Sequence, residues 1–144
     1  MSLEQTASLL QRRLQHWQQY GFGAWALIHR CDQQLIGHCG LHYFRSASDQ
    51  ALEVELTYAV NPHYWRQGLA TEAATAVLQW GFEILRFPQI VAVTSPTNFA
   101  SQRVMQKLGM TYQKTLQYNG GAVVYYAIAR SDFRLISSSR LPNQ

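Results

Sequence analysis

A short segment between a β-rich run and a helical pattern carries the most informative chemistry. This segment reads Trp65-Arg66-Gln67-Gly68-Leu69-Ala70-Thr71. The glycine lets a ligand approach the backbone closely and accepts a left-handed conformation. The first turn of the following helix has N–H groups without intrahelical partners, and the helix dipole favours an anion there. The pattern therefore predicts a diphosphate site, although a lone glycine-x-alanine pair is also typical of an ordinary strand-to-helix turn.

Two carboxylates lie two positions apart on a predicted strand. Glu53 and Glu55 therefore share one face of that strand. A carboxylate in this setting is a candidate general base, acting directly or through water. It could instead be structural, paired with an arginine or with backbone donors, or it could lie on a solvated strand face.

Histidines and cysteines cluster between positions 29 and 42 and suggest a metal site. His38 and Cys39 are adjacent on a predicted strand and so point to opposite faces, while His38 and His42 share one. Two ligands do not make a zinc site, so we expect no bound metal. Cys31 and Cys39 match neither a redox nor a zinc spacing, and we expect free thiols.

The composition is that of a globular protein. Of the 144 residues, 47% are hydrophobic and 14% charged, which excludes a disordered chain. A formal net charge of +4 suits a polyanionic ligand, either nucleic acid or a nucleotide cofactor. The basic residues are scattered and match no nucleic-acid motif, so we expect no nucleic-acid partner. No apolar run approaches the roughly 20 residues that span a bilayer, so we expect no membrane contact and a cytoplasmic location.

Hydrophobic periodicity predicts one α/β domain over residues 1–136, followed by a flexible tail over 137–144. An apolar stripe at helical spacing marks a first helix that stops near Gly21: Leu3, Ala7, Leu10, Leu14 and Trp17. The other predicted elements are strands over 24–29, 35–44 and 53–60, a helix over 69–85, a strand over 90–95, a helix over 99–108, and strands over 110–118 and 122–130. Asn119-Gly120-Gly121 predicts a hairpin turn between the last two strands, and Arg45–Gln50 a polar loop. This order predicts a mixed α/β sheet with local antiparallel pairing and one crossover.

The segment around Gly68 resembles motif A of the GNAT superfamily of N-acetyltransferases, whose pattern is Gln/Arg-x-x-Gly-x-Gly/Ala. Trp65 at the first position departs from that general pattern. The form Tyr-Trp-x-x-Gly-x-Ala-Thr-Glu-Ala is that of the RimJ/RimL-like branch, which acetylates the N-termini of ribosomal proteins. Three further stretches are similar to that branch: Glu55-Leu56-Thr57-Tyr58, Asn98-Phe99-Ala100-Ser101 and Lys107-Leu108-Gly109-Met110.

The resemblance implies a GNAT-type fold: a mixed, mostly antiparallel central sheet, flanked by helices and splayed at a V-shaped cofactor cleft. Acetyl-CoA would lie in the cleft, with its pantetheine arm along the edge of strand 53–60 and its pyrophosphate on the backbone amides of residues 67, 68, 70 and 71. The cofactor-binding residues implied are Tyr58, Val60, Trp65, Arg66, Gln67, Gly68, Ala70, Thr71, Asn98 and Ser101.

The resemblance also implies roles in acyl transfer. Glu55 lies on the strand that lines the acyl end and is the implied general base. Ser101, near the cofactor sulfur, or Tyr126 would protonate the leaving thiolate, with Tyr125 as the alternative on the opposite face. A backbone N–H of Tyr58 or its neighbours would bind the oxyanion. Asn98 would bond the pantetheine arm, whereas its position before a helix is also that of an N-cap.

The implied reaction is acetyl transfer to a primary amine by direct attack in a ternary complex. The acceptor would be a protein N-terminus or a small-molecule amine. We expect the acceptor pocket to involve Tyr20, Phe22, His42, Tyr43, Gln117 and Tyr118. The alternatives are a catalytically weak acyl-CoA-binding or regulatory module and, less favoured, a basic nucleic-acid-binding domain.

This sequence departs from the family at its start. GNAT domains usually open with a strand, whereas the first predicted element here is a helix, so we expect that strand to be missing. The strand over 24–29 would then have an open edge, which a second subunit in a homodimer could cover.

Overall fold

The computed structural model describes residues 2–45, 52–118 and 120–133. Its elements are α1 Leu3–Tyr20, β1 Ala24–Ile28, β2 Leu35–Arg45, β3 Leu52–Val60, a 3-10 turn Pro62–Tyr64, α2 Leu69–Glu83, β4 Gln89–Thr94, α3 Phe99–Lys107, β5 Thr111–Tyr118 and β6 Gly121–Ala129. The predicted order of helices and strands is confirmed, with ends shifted by a few residues. The predicted loop over 46–50, Asn119 of the hairpin turn and the predicted tail over 137–144 lie outside the described residues.

The six strands form one sheet in the order β1-β2-β3-β4-β6-β5. The pair β3 and β4 is parallel, and every other neighbouring pair is antiparallel. A parallel pair needs a long crossover connection, which here contains α2. The predicted mixed, mostly antiparallel sheet flanked by helices is therefore confirmed.

The sheet opens between its two middle strands. β3 pairs with β2 over nine residues, from Leu52 to Val60, but meets β4 at the single bridge Glu55↔Val91. Beyond Glu55, the β4-facing side of β3 has no strand partner among the described residues. This divergence is the V-shaped cleft that the sequence predicts.

The two faces of the sheet carry different groups. One face, which we call the α2 face, packs α2 and α3 on a continuous apolar core that includes Leu41, Leu56, Phe82 and Met105. The opposite face, which we call the α1 face, carries Glu55. Because side chains alternate along a strand, residues two apart share a face, and this alternation decides which candidate residues can meet.

Two polar side chains anchor α1. The backbone N–H of Tyr43 donates to Nε2 of His16 at 3.1 Å, so the His16 proton is on Nδ1, which donates to the carbonyl of Phe22 at 2.8 Å. Trp17 Nε1 donates to the carbonyl of Ala24 at 2.8 Å. These bonds tie the last turns of α1 to β1, β2 and the connection between α1 and β1.

The predicted apolar stripe of α1 forms a helix, but apart from Trp17, which packs on Trp25 of β1, its members are exposed. Leu3, Leu10 and Leu14 are 86%, 55% and 63% exposed. β1 pairs with β2, and its other edge has no strand partner within the described part of the chain. The exposed leucines thus belong to α1, and the open edge of the sheet belongs to β1.

Candidate functional site

The connection between β3 and α2 is held by local side-chain bonds. Asn61 accepts a hydrogen bond from the backbone N–H of His63, which caps the 3-10 turn. Trp65 Nε1 donates to the carbonyl of Val60 at 2.6 Å, while the Trp65 ring stays 59% exposed. The tryptophan at the position that departs from motif A therefore fixes the entry to α2.

The start of α2 presents uncapped amides. Gly68 is the N-cap, with φ +74°, and no side chain caps the helix there. A Cβ built at Gly68 would have nothing within 4 Å, so the backbone at this point faces open space. Arg66 also has a positive φ, 65°, which is uncommon for a residue with a Cβ. A ligand can therefore approach the Gly68 backbone on this side without displacing a side chain.

A cavity of about 560 Å³ lies in front of this helix start. Its lining residues are Gly68, Thr71, Glu72, Thr75 and Lys107. Lys107, in the last turn of α3, contributes a cation to this lining, and Glu72 contributes a carboxylate. Sequence reasoning used Lys107 as a family marker and missed this position, because spacing along the chain does not show that α3 ends beside α2.

Glu55 lies where β3 and β4 separate. It is 7% exposed and directly opposite His42 on β2, and His42 Nε2 lies 2.9 Å from Glu55 Oε1. The second carboxylate oxygen has no hydrogen-bond partner among the described residues. The sequence suggested an arginine or backbone partner for a structural glutamate, whereas the partner is a histidine. Glu53 shares the α1 face, as predicted, and its carboxylate accepts from the Tyr125 hydroxyl.

Asn98 and Ser101 lie together at the start of α3. The Asn98 side chain accepts from the backbone N–H of Ser101 at 3.1 Å, which confirms the predicted N-cap. The Tyr58 hydroxyl donates to the Ser101 carbonyl at 2.9 Å and lies 3.0 Å from the Ser101 hydroxyl oxygen. Burial raises the pKa of Tyr58 to about 12, so this phenol stays neutral at ordinary pH. Tyr58 thus links β3 to α3.

Tyr126 and Tyr125 point to opposite faces, as strand alternation predicts. The Tyr126 hydroxyl is on the α2 face, where it donates to Gln102 Oε1 at 3.0 Å and lies 3.4 Å from Gln106 Nε2. Tyr125 belongs to the smaller apolar cluster on the α1 face. Tyr126 is therefore on the same face as Ser101's partner Tyr58, but α3 residues already bond its hydroxyl.

A second cavity, of about 340 Å³, lies between α1 and the sheet. Its lining residues are Leu9, Arg12, Arg13, His16, Gly23, Ala24, His42, Tyr43 and Thr57. His42 and Tyr43 were predicted acceptor-pocket residues. Phe22 is instead buried in the core, and Tyr118 packs on Phe44 at 5.1 Å between ring centroids. Arg12 and Arg13 were not among the predicted acceptor-pocket residues, because spacing along the chain does not show which side of α1 faces the sheet.

Neither cysteine lies in the two cavities. Cys31 is exposed, and Cys39 is fully buried, where burial raises the pKa of its thiol to about 12. A buried neutral thiol is a poor nucleophile. Across the described ranges, no three His, Cys, Asp or Glu side chains group together as metal ligands. Within the same ranges, no helix combines the length and the hydropathy that a membrane span requires.

Comparisons with known proteins agree with this geometry. The acetyltransferase (GNAT) domain family matches residues 1–111. The chain is 33% identical over 107 residues to the uncharacterised protein YkkB of Bacillus subtilis (strain 168), covering 74% of this chain and 61% of YkkB. It is 31% identical over 116 residues to the uncharacterised N-acetyltransferase YoaA of the same organism, covering 81% of this chain and 64% of YoaA.

The fold also matches a solved structure. The crystal structure of the acetyltransferase from Agrobacterium tumefaciens str. C58 superposes with a TM-score of 0.77 at 26% identity, covering 89% of this chain and 72% of that one. The chain spans less than two thirds of the length of the two curated relatives, 61% and 64%.

Proposed function

Because this chain belongs to the acetyltransferase (GNAT) domain family, we propose that it transfers an acetyl group from acetyl-CoA to a primary amine by direct attack in a ternary complex. The observation that carries the proposal is the position of Glu55. This carboxylate lies where β3 and β4 separate. The open amides at the start of α2 follow β3 along the chain, and a cavity lies beside its partner His42.

The residues at the start of α2 fit a diphosphate. The amides of residues 67, 68, 70 and 71 would hold it, since the open space at Gly68 leaves them accessible and Lys107 adds a positive charge. Val60, Trp65, Arg66 and Asn98 complete the proposed cofactor-binding set with Tyr58 and Ser101. When bound, acetyl-CoA supplies the activated thioester.

Glu55 is the proposed general base. A primary amine is mostly protonated at neutral pH, with a pKa of about 8 for an α-amine and about 10.4 for lysine, and must lose a proton before attack. The free Oε2 of Glu55 is available to accept that proton. His42 bonds the other oxygen and so fixes the carboxylate's orientation. The backbone N–H of Tyr58 is the proposed oxyanion donor.

Ser101 and Tyr126 are the proposed proton donors to the leaving thiolate. The Ser101 hydroxyl contacts the Tyr58 hydroxyl at the α3 side of the cleft, so Tyr58 helps to orient it. Tyr126 is buried and bonded to Gln102. Serine is a weak acid, so orientation of the leaving thiolate or a relay through water suits it better than strong acid catalysis.

The acceptor is proposed to be a protein N-terminus or a small-molecule amine, as in the RimJ/RimL-like branch that the motifs resemble. A homodimer that covers the open edge of β1 is part of the same proposal, since an unpaired edge strand favours association. The exposed leucines of α1 would add apolar area to that contact.

A direct test measures free CoA released from acetyl-CoA across a panel of peptides and small amines, with acetyl-CoA binding measured by calorimetry on the same protein. We expect micromolar binding and amine-dependent release. Binding without release for any amine would favour the acyl-CoA-binding module, and absence of binding would overturn the cofactor assignment.

A further inference from the structure

The second cavity contains two arginines without ionic partners. Arg12 and Arg13 project from α1 into its lining. Arg13 is half-buried, and burial lowers the pKa of its guanidinium. Neither arginine forms an ion pair within the described part of the chain; His29–Asp32 and His42–Glu55 do. A partly desolvated cation without a counter-ion is costly, so this arrangement favours an anionic ligand.

No carboxylate among the described lining residues offsets this positive charge. The nearby Glu55 is outside the lining: one of its carboxylate oxygens bonds His42, and the other is the proposed acceptor of the amine's proton. The charge of Arg13 also reaches the sheet, since the pKa of His38 is lowered first by burial and then by Arg13. Nδ1 of His38 is buried without a hydrogen-bond partner. The cavity is therefore electropositive on its α1 side.

The other side of the cavity is the catalytic side. His42 lines it and bonds the Glu55 carboxylate at 2.9 Å, and Thr57 follows on the same strand face as Glu55. A molecule with an amine beside His42 and an anionic group toward α1 would satisfy both ends. A purely cationic amine would meet the uncompensated charge of Arg12 and Arg13.

We propose that this cavity is the acceptor site and that it selects primary amines that also carry an anionic group, a carboxylate or a phosphate. This inference rests on the proposed acetyltransferase function. Arg13 is the main specificity-determining residue because it is the less exposed of the two arginines, and a charge-assisted hydrogen bond is stronger where water is excluded.

The test compares acceptors that differ in one anionic group. Phenylalanine is paired with phenylalaninamide, and phosphoethanolamine with ethanolamine, so that one arm reports a carboxylate and the other a phosphate. CoA release gives kcat/KM for each amine. Backbone amide shifts of Arg13, Ala24 and Thr57 in the CoA-loaded protein report binding without turnover. We expect the anionic member of at least one pair to be favoured by about tenfold or more in both readouts.

Arg13→Gln should reduce that preference about tenfold, because one charge-assisted hydrogen bond is lost. Its affinity for CoA should be unchanged. Arg30→Gln is the matched control, because Arg30 is exposed in the connection between β1 and β2 and is not a lining residue. It lowers the net charge equally and should keep the preference.

Equal or stronger binding of the amines that lack the anionic group would overturn this inference while leaving acetyl transfer intact. Anion-selective shifts without CoA release would support the site and count against the proposed function. Equal loss of preference in Arg30→Gln and Arg13→Gln would reduce the effect to general charge attraction and so contradict the site.

Discussion

His42 and Glu55 face each other across β2 and β3, with 2.9 Å between His42 Nε2 and Glu55 Oε1. Glu55→Gln keeps an oxygen to accept the histidine bond but removes the base. We expect kcat to fall by about a hundredfold or more, with the affinity for acetyl-CoA unchanged. Steady-state kinetics and calorimetry check this.

Two further variants distinguish the general base from the residue that orients it. His42→Gln can still donate to Glu55, and we expect it to lose less than about tenfold in kcat, since the base is retained. Glu83→Gln, on an exposed carboxylate at the end of α2, should have no effect. A greater loss in His42→Gln than in Glu55→Gln would make the histidine the base.

Gly68 offers a test of the diphosphate site. Gly68→Glu places a carboxylate before the α2 amides and should abolish acetyl-CoA binding by calorimetry. Gly120→Glu is the matched control, because Gly120 also has a positive φ, +80°, and open space around a built Cβ. Both variants incur roughly 1–2 kcal/mol of left-handed strain. Equal affinities in the two variants would refute the site.

Conservative substitutions distinguish the proposed roles of Ser101 and Tyr126. Ser101→Ala removes the hydroxyl that contacts Tyr58, and we expect a lower kcat with little change in acetyl-CoA affinity. Tyr126→Phe removes a bond to Gln102 at 3.0 Å and should affect kcat less. Pre-steady-state CoA release at saturating amine measures both. A loss confined to binding in Ser101→Ala would reassign that residue to the cofactor site.

His16 is a structural test. His16→Ala leaves the N–H of Tyr43 and the carbonyl of Phe22 without their bonds, and we expect the free energy of unfolding to fall by roughly 2–3 kcal/mol. Gln15→Ala, at the exposed neighbouring position, is the control. Urea denaturation followed by tryptophan fluorescence compares them. Equal stability of the two variants would show that these bonds do not anchor α1.

From the buried thiol of Cys39 we expect the protein to become less stable at alkaline pH. Burial raises the pKa of its thiol from 9.0 to about 12. Between those values the folded state keeps a proton that the unfolded state releases, so the free energy of unfolding falls as pH rises, by roughly 1.4 kcal/mol per pH unit. Tyr58, with its pKa raised to about 12, adds a similar fall above pH 10.

The Cys39 prediction is checked by urea denaturation at about pH 8 and about pH 10, below and above the unfolded-state thiol pKa. Cys39→Ala should be less stable at both values because it leaves a core cavity, but its stability should change less between them. An identical pH dependence in both proteins would show that the thiol does not contribute.

The sequence predicts the elements well because their signals are local. Gly21 ends α1 with φ +76°, and Asn98 caps α3, both through contacts within a few residues. The turn from β3 into α2 at Gly68 belongs to the same class, since its signals, a strand end, a glycine and a helix start, follow one another closely along the chain. Such features need no knowledge of the tertiary fold.

Contacts between distant segments could not be predicted in this way. The partner of Glu55 depends on the register of β2 on β3, and the position of Lys107 depends on how α3 packs beside α2. The apolar stripe of α1 indicates a helix correctly, yet of its members Trp17 alone bonds the sheet, together with His16 from outside the stripe. That Arg12 and Arg13 line the second cavity is consequently seen only in the structure.

The bridge between Glu55 and Val91 has a mechanical consequence. With a single ladder contact between β3 and β4, the sheet is two three-stranded halves joined at one hinge, and few backbone bonds resist a change in the angle between them. The amides of a bound pantetheine arm, lying between the halves, would pair with β3 in the manner of a seventh strand. Occupancy should then stiffen the whole protein, and slower amide hydrogen exchange in β3 and β4 would register it.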